Sequence, residues 1–368
     1  MDLALPNEDG LNISALSRCF KNVVNSYKFY WLLAILDHVE QSENPSITYD
    51  EISMRMLSLV WYPLDYYKLS FGKKDGFIFL ANVISKYLIV DNSVNSPDLL
   101  TQIEQKLDPI ATERIKKKVK VGLGRWVTYR FLSPFFESEV KGLRDQDVNL
   151  IIERLSNLVS DKSPVPYAIK SECIILNSRW RSYFLRNNVI IRGFVNWNLV
   201  RFLQKNNANS IGLSEKLVKP VYRDLKLAKV FWSRYLNAFN ESCVYSQSPI
   251  NKKNFSIDHF IPWSYMAHDQ LWNLIPTSNH VNSSKSNSLP NLDIYLKAFI
   301  DLQYKAVKYH WEQGDDKLLE DYHGTLKIGN IADLTLEDFE RQLSTEIKSH
   351  NRIAVNQGFS QGFIYNKL

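Results

Sequence analysis

Residues 255–290 read FSIDHFIPWSYMAHDQLWNLIPTSNHVNSSKSNSLP, and the rest of the chain is organised around them. The apolar run at 255–261 predicts a strand, and the run at 271–275 predicts a returning strand; a proline follows each. Residues 279–287 predict a short helix, because Ser and Thr residues that can cap a helix come directly before it. Two strands and a helix form the smallest scaffold that brings three polar side chains to one cation.

The polar residues of this stretch are of types that can build a one-metal phosphodiesterase site. A neutral imidazole such as that of His259 can take a proton from water near pH 7. The neighbouring Asp258 is a hard oxygen ligand of the kind that Mg²⁺ prefers. Asn273 follows on the second strand and Asn282 on the helix, where an amide oxygen can serve as a second, neutral ligand.

The spacing of these residues resembles the HNH nuclease family, also called the ββα-metal nucleases. The family pattern is Asp-His-x-x-Pro, then Asn-Leu, then His or Asn followed by x-x-Lys. This chain has Asp258-His259-Phe-Ile-Pro, Asn273-Leu and Asn282-Ser-Ser-Lys285 in that order. The resemblance covers about residues 243–290, and it is specific because every element falls at the usual interval.

The resemblance implies a role for each residue of the motif. His259 would be the general base, and Asn273 would brace the hairpin and orient the histidine. Asp258 and Asn282 would hold one Mg²⁺ or Mn²⁺ ion. Lys285 lies three residues after Asn282, so it would face the same way on the helix and contact phosphate.

One departure from the family concerns a structural zinc. Many HNH proteins hold zinc through two Cys-x-x-Cys pairs, and the four positions here are Cys243, Ser246, Ser278 and Val281. Zinc in closed structural sites requires Cys or His ligands, and only one of the four remains. We therefore expect no structural zinc, and we expect packing to hold the hairpin instead.

Composition places the chain among globular proteins. Of its 368 residues, 45% are hydrophobic and 23% are charged, which allows a sizeable core. No apolar run is long enough to cross a bilayer, and the N-terminus carries acidic residues where a signal peptide would be basic. The three dispersed cysteines favour a reducing compartment, and hence the cytoplasm. The net charge of +6 is compatible with a polyanionic partner, although many ordinary proteins are as basic.

Helical periodicity dominates outside the central stretch, so the predicted fold class is mainly α, with a C-terminal ββα nuclease module embedded in helices. Residues 14–40 predict one long helix. We expect a helical region at 1–205 for substrate recognition, sensing or partner binding. The nuclease module would follow at 206–300, after the polar segment 206–210, and a helical extension would occupy 301–368.

Two stretches of the N-terminal region are candidates for nucleic-acid binding. The basic run at 114–120 includes Lys116, Lys117 and Lys118, and it could follow a phosphate backbone or form a solvated helix face. The stretch 174–204 alternates arginines, among them Arg179 and Arg181, with aromatic residues. Such a pattern suits stacking on bases, but it suits a packed helix pair better.

The sequence therefore predicts a metal-dependent HNH endonuclease that hydrolyses phosphodiester bonds of DNA, with RNA left open. Fusion to a helical region favours a restriction or phage-defence nuclease, and a homing-type endonuclease is the weaker alternative. Because one such site cuts one strand, a double-strand break implies two protomers or two binding events. The expected partners are DNA and, for assembly, a second copy in a homodimer or a defence-system partner protein. The alternative from another class is a helical nucleic-acid-binding or adaptor protein that retains an inactive hairpin.

Overall fold

The computed structural model of the chain describes residues 4–73, 75–93, 95–120, 125–158, 164–219 and 223–366. Two compact units result, Met1–Pro220 and Val221–Leu368. Helices dominate both, so the prediction of a mainly α fold is confirmed. No helix within the described ranges is both long and apolar enough to cross a membrane.

Helices of the first unit surround a core rich in aromatic residues. They are α1 (Ile13–Arg18), α2 (Tyr27–Gln41), α3 (Tyr49–Trp61), α4 (Phe77–Ile84), α5 (Leu99–Lys106), α6 (Pro109–Val119), α7 (Arg125–Leu132), α8 (Glu137–Val140), α9 (Asp145–Leu158), α10 (Ser178–Arg186) and α11 (Asn188–Gln204). Helix α2 packs against α3, α7, α10 and α11. The indole of Trp31 on α2 is fully buried and donates a hydrogen bond of 3.1 Å to the hydroxyl of Tyr167, which satisfies its only polar group.

Three short strands form a small antiparallel sheet in the same unit. They are β1 (Ser46–Thr48), β2 (Tyr167–Ile169) and β3 (Cys173–Leu176), in the order β1-β3-β2. Each has three or four residues, which is too short to show the alternation by which strands are recognised in a sequence. The sequence therefore did not reveal this sheet.

The single helix predicted at 14–40 is wrong, because the structure divides it into α1 and α2. Asn22, in the connection, has a φ of 54°, a left-handed conformation that a helix cannot continue through. The carboxylate of Asp75 accepts hydrogen bonds of 2.9 and 2.6 Å from the backbone N–H and the hydroxyl of Ser26. A residue remote in the sequence thus sets the point where α2 begins.

The arginine- and aromatic-rich stretch is mainly a packed helix pair. Trp180, Tyr183 and Phe184 on α10 are all fully buried, so they cannot stack on bases in this arrangement. Arg181 donates a 2.8 Å hydrogen bond to the carbonyl of Ser42, and Arg179 donates to the carbonyl of Asp9. Both guanidinium groups therefore hold parts of the first unit together, and their nucleic-acid role stays a prediction.

The division between the units lies after the segment that the sequence suggested as a linker. Asn207, in that polar segment, is buried and exchanges hydrogen bonds of 2.8 and 2.7 Å with the backbone of Ser70. This pairing holds the segment to the first unit, and the helices at 301–368 belong to the same unit as the hairpin. The functional domain bounds 1–205, 206–300 and 301–368 stay a prediction.

The second unit packs helices around one β-hairpin. Its helices are α12 (Lys226–Ala238), α13 (Trp263–Met266), α14 (Asn279–Lys285), α15 (Leu292–Glu312), α16 (Glu320–Leu326) and α17 (Leu336–Asn356). Its strands are β4 (Ser256–His259) and β5 (Leu274–Thr277), which pair antiparallel. Strand, strand and helix therefore follow one another as β4, β5 and α14, in the order that the sequence predicted.

Side chains from α12 and α15 hold the hairpin in place. The indole of Trp232 donates to the carbonyl of Leu274 at 3.1 Å, and the amide of Gln303 donates to the same carbonyl at 2.8 Å. The rings of Phe260 and Phe299 stack with their centres 3.9 Å apart. Buried hydrogen bonds and ring packing thus fix the hairpin to its helical surroundings.

Candidate active site

The hairpin places the acid and the histidine of the motif at the end of its first strand. Asp258 lies opposite Ile275 and His259 lies opposite Leu274 in the register of β4 and β5. The strand ends directly after His259, and Pro262 then precedes α13. Side chains of strand neighbours point to opposite faces, so the end of the strand is where both can approach one substrate.

Asn273 closes the hairpin from inside. Its side-chain oxygen accepts a 2.8 Å hydrogen bond from the backbone N–H of Ile261, and its side-chain nitrogen donates a 2.9 Å bond to the carbonyl of the same residue. Its own carbonyl accepts from the N–H of Phe260 at 2.8 Å. These bonds extend the pairing beyond the last strand residue, so Asn273 fixes the backbone that follows His259.

Replacing Asn273 with alanine should destabilise the second unit by roughly 2–4 kcal/mol, because two buried backbone groups of Ile261 would lose their partners. Urea unfolding followed by tryptophan fluorescence measures this loss. Asn237→Ala, at an exposed position of α12, is the matched control and should leave the unfolding curve nearly unchanged. Equal stability of the two variants would contradict a bracing role for Asn273.

Asp258 is buried among polar partners. Its carboxylate accepts a 2.7 Å hydrogen bond from the hydroxyl of Tyr245 and lies 3.2 Å from the ammonium of Lys285. Burial, and secondarily the charge of Asp258, raises the pKa of Tyr245 well above its ordinary value, so the hydroxyl stays protonated and donates. Two donors therefore fix the orientation of the carboxylate.

Lys285 does not face solvent, where a phosphate would have to bind. Its ammonium is fully buried and donates to the Asp258 carboxylate at 3.3 Å and to the carbonyl of His259 at 2.7 Å. Burial lowers its pKa from the ordinary lysine value, against the opposing effect of Asp258. We expected Lys285 to contact phosphate because it follows Asn282 at helical spacing. In the structure, Lys285 instead links α14 to β4 through these hydrogen bonds.

His259 is oriented by a carboxylate that the sequence motif does not include. Its Nε2 lies 2.7 Å from Oδ1 of Asp269 in the loop between the strands. A carboxylate only accepts, so Nε2 carries the proton and the basic lone pair is on Nδ1. Burial lowers the pKa of His259 from its ordinary value, with Asp269 opposing that effect, so the imidazole is neutral at pH 7. This is the form that a general base requires.

Asn282 is held next to Asp258 by its amide nitrogen. Its Nδ2 donates hydrogen bonds to the hydroxyl of Ser256 at 2.8 Å and to the carbonyl of Ile257 at 3.2 Å. Both amide hydrogens are then used, which leaves the amide oxygen as the end that can serve as a ligand. Helix α14 thus brings a neutral oxygen to the strand residue that precedes Asp258.

The four positions that correspond to zinc ligands in many HNH proteins have other contacts here. The thiol of Cys243 lies 3.1 Å from the hydroxyl of Thr277, and the hydroxyl of Ser278 caps α14 by accepting from the N–H of Val281. No cluster of three or more His, Cys, Asp or Glu side chains suited to a metal occurs in the described parts of the chain. The absence of a structural zinc stays a prediction.

The expected nucleic-acid contacts of the basic run lie on α6 in the first unit. Lys116 is half-buried and Lys117 is exposed, while the side chain of Lys118 lies outside the described residues. Lys116 lines a cleft of about 880 Å³ beside α3. The structure therefore leaves Lys117 accessible, and a phosphate contact by these lysines stays a prediction.

Comparison with known proteins agrees with the geometry of the hairpin. Residues 243–291 match the family model described as HNH endonuclease, which covers the hairpin, α14 and the segment before them. No curated protein and no solved structure matches the chain. The chain therefore carries an HNH-family domain near its C-terminal third, as the motif indicated.

Proposed function

Because residues 243–291 form a domain of the HNH endonuclease family, we propose that the chain hydrolyses phosphodiester bonds of DNA in a metal-dependent reaction. The observation that carries the proposal is the contact of His259 with Asp269 beside the buried Asp258. This contact supports the proposal, because a histidine with a fixed tautomer can act as the base and a neighbouring carboxylate can act as a metal ligand in such a hydrolysis.

The donor set fits one hard divalent cation, which supports Mg²⁺ or Mn²⁺ as the cofactor. Asp258 and Asn282 would hold it through a carboxylate and an amide oxygen, and each carboxylate oxygen has lone pairs beyond those used by Tyr245 and Lys285. When bound, the cation supplies positive charge to the phosphate and to the leaving oxygen.

The protein's own side chains would carry out the remaining steps of the hydrolysis. His259 takes a proton from the attacking water at Nδ1, and Asp269 stabilises the imidazolium that forms. Asn273 keeps the backbone around His259 in register through its bonds to Ile261. The family's usual products, 5′-phosphate and 3′-hydroxyl ends, are the ones we expect.

The experiment that tests this proposal identifies substrate and products together. Supercoiled plasmid and a labelled single-stranded RNA are each incubated with the full chain and Mg²⁺, and the new ends are tested for phosphate. Nicked plasmid with 5′-phosphate ends supports the proposal. Cleavage of RNA alone would show that RNA, and not DNA, is the substrate. Intact nucleic acid under all conditions would contradict the proposal.

One observation favours a second function, that of a nucleic-acid-binding or adaptor protein with an inactive hairpin. The ammonium of Lys285 neutralises Asp258, and a neutralised carboxylate attracts a cation less strongly. The two functions differ in the plasmid experiment, since an adaptor would bind DNA without cutting it.

We also propose a biological setting for the enzyme, a restriction or phage-defence role in the cytoplasm. The support is the joining of a nuclease domain to a large helical unit, which suits control of cleavage by recognition. Double-strand cleavage would require two sites, supplied by a homodimer or by a partner protein.

The basic run on α6 gives the proposal a separate test. Neutralising Lys116, Lys117 and Lys118 together should weaken DNA binding and make the slope of log affinity against log salt shallower, by about 0.9 for each phosphate that the protein no longer neutralises. Binding is measured by fluorescence anisotropy over a range of salt concentrations.

The matched control for this triple variant neutralises three exposed lysines elsewhere in the first unit, Lys141, Lys170 and Lys205. An equal change of slope in both triple variants would show that the lysines on α6 act only through the net charge of the protein. An unchanged slope in the α6 variant would show that the run is a solvated helix face that does not contact DNA.

A further inference from the structure

Negative charge increases at the phosphate in the transition state of phosphodiester hydrolysis, and a positive side chain placed there stabilises it. Lys285 does not supply such a charge in this arrangement, since its ammonium is fully buried against Asp258 and the carbonyl of His259. The other cations of the second unit that substrate can reach are therefore the candidates for this role.

Arg223 has the position that this role requires. The residue lies half-buried just before α12, and its guanidinium carbon is 5.2 Å from the ring centre of Trp263. Trp263 begins α13, directly after the proline that follows the Asp-His motif.

No carboxylate within the described part of the second unit forms an ion pair with Arg223. The adjacent Asp224 lies 3.6 Å from Lys226 instead. Two other arginines of the unit differ in this respect, since Arg234 pairs with Asp315 and Arg341 pairs with Asp338. The remaining one, Arg352, is exposed on α17. Arg223 is therefore a cation that is held by stacking on an aromatic ring, with its N–H donors left for an anion.

We propose that Arg223, held over Trp263, binds the scissile phosphodiester of the substrate on the His259 side of the site. A planar guanidinium can donate two parallel hydrogen bonds to two phosphate oxygens, which a lysine cannot do. This assignment rests on the proposed function, because it names the residue that binds the substrate of that same site.

The first test is kinetic and uses variants of the full chain. Arg223→Gln should lower the single-turnover rate of plasmid nicking by about 10²-fold, the size of effect seen when one donor to a developing oxyanion is lost. Arg223→Lys should restore only part of that rate, because it keeps the charge and loses the paired geometry. Lys226→Gln removes the same charge from an exposed position three residues away and should cut at close to the wild-type rate.

A second test does not depend on cleavage. Arginine side chains are modified with phenylglyoxal in the presence of EDTA, with and without a short DNA duplex, and the modified peptides are measured by mass spectrometry. The duplex should protect Arg223 and should leave the exposed Arg352 reactive. Protection from phenylglyoxal therefore measures phosphate binding at Arg223 independently of cleavage.

The outcomes distinguish the two claims. Normal nicking by Arg223→Gln, or cleavage by the wild type without protection of Arg223, would overturn the phosphate site and leave the nuclease intact. Protection of Arg223 without any cleavage would support the phosphate site and contradict the nuclease. Neither cleavage nor protection would overturn both.

Discussion

Replacing His259 with alanine should lower the rate of plasmid nicking by about 10²–10⁴-fold, the range expected when a general base is lost. The side chain is almost fully buried, and its Nε2 contacts Asp269, which reaches solvent and can be hydrated when the imidazole is gone. The substitution therefore removes the base without leaving a buried charge unpaired. Single-turnover nicking with Mg²⁺ measures the effect.

The control for this variant is His280→Ala. His280 lies on α14 two residues before Asn282, and its ring contacts Tyr365 at an exposed position. We expect this variant to nick plasmid at the wild-type rate and the His259 variant to keep the wild-type melting temperature. Near-normal cleavage by His259→Ala would contradict the assignment of His259 as the base. Loss of cleavage in His280→Ala would show that His280 belongs to the active site.

Replacing Asp258 should weaken the metal response of the enzyme. We expect Asp258→Asn to raise the Mg²⁺ concentration needed for half-maximal nicking more than Asn282→Ala does, because a carboxylate attracts the cation by its charge and an amide only by its dipole. The measurement is nicking after chelation, with Mg²⁺ or Mn²⁺ added back stepwise.

Asparagine is used at position 258 because alanine would remove the hydrogen-bond acceptor as well as the charge. Lys285 is fully buried against Asp258, and removing one partner of a buried ion pair costs about 3–5 kcal/mol. An asparagine keeps an oxygen that can accept from Tyr245 and Lys285. A metal response of Asp258→Asn equal to that of the wild type would show that this carboxylate is not a ligand.

Local patterns predicted the second unit well. Residues 292–312 form one helix in the structure, and the apolar residues of that stretch recur at helical spacing; the side chain of Thr335 caps α17. Phe231, Trp232 and Tyr235 recur at the same spacing and are buried on one side of α12. These features depend on neighbours within a few residues, and such information is present in the sequence.

Features that depend on distant partners were not predictable in this way. The contact of Asp269 with His259 forms across an irregular loop in which Ala267 has a φ of 56°, and no periodicity describes such a loop. Helical spacing correctly placed Lys285 on the same side as Asn282, but it could not show that β4 lies against that side. The start of α2 in the first unit was not predicted for the same reason. It is set by Asp75, which lies just before α4 and accepts a hydrogen bond from Ser26.

The central claim is that the hairpin built around His259 and Asp258 is a metal-dependent nuclease site. Its most direct test is the rate of nicking of supercoiled plasmid by the wild-type chain with Mg²⁺, compared with the rate in EDTA and with that of His259→Ala in Mg²⁺. We predict nicked circles in the first reaction, and supercoiled plasmid that remains intact in the other two over the same time. Equal nicking in all three reactions, or none in the first, would contradict the claim.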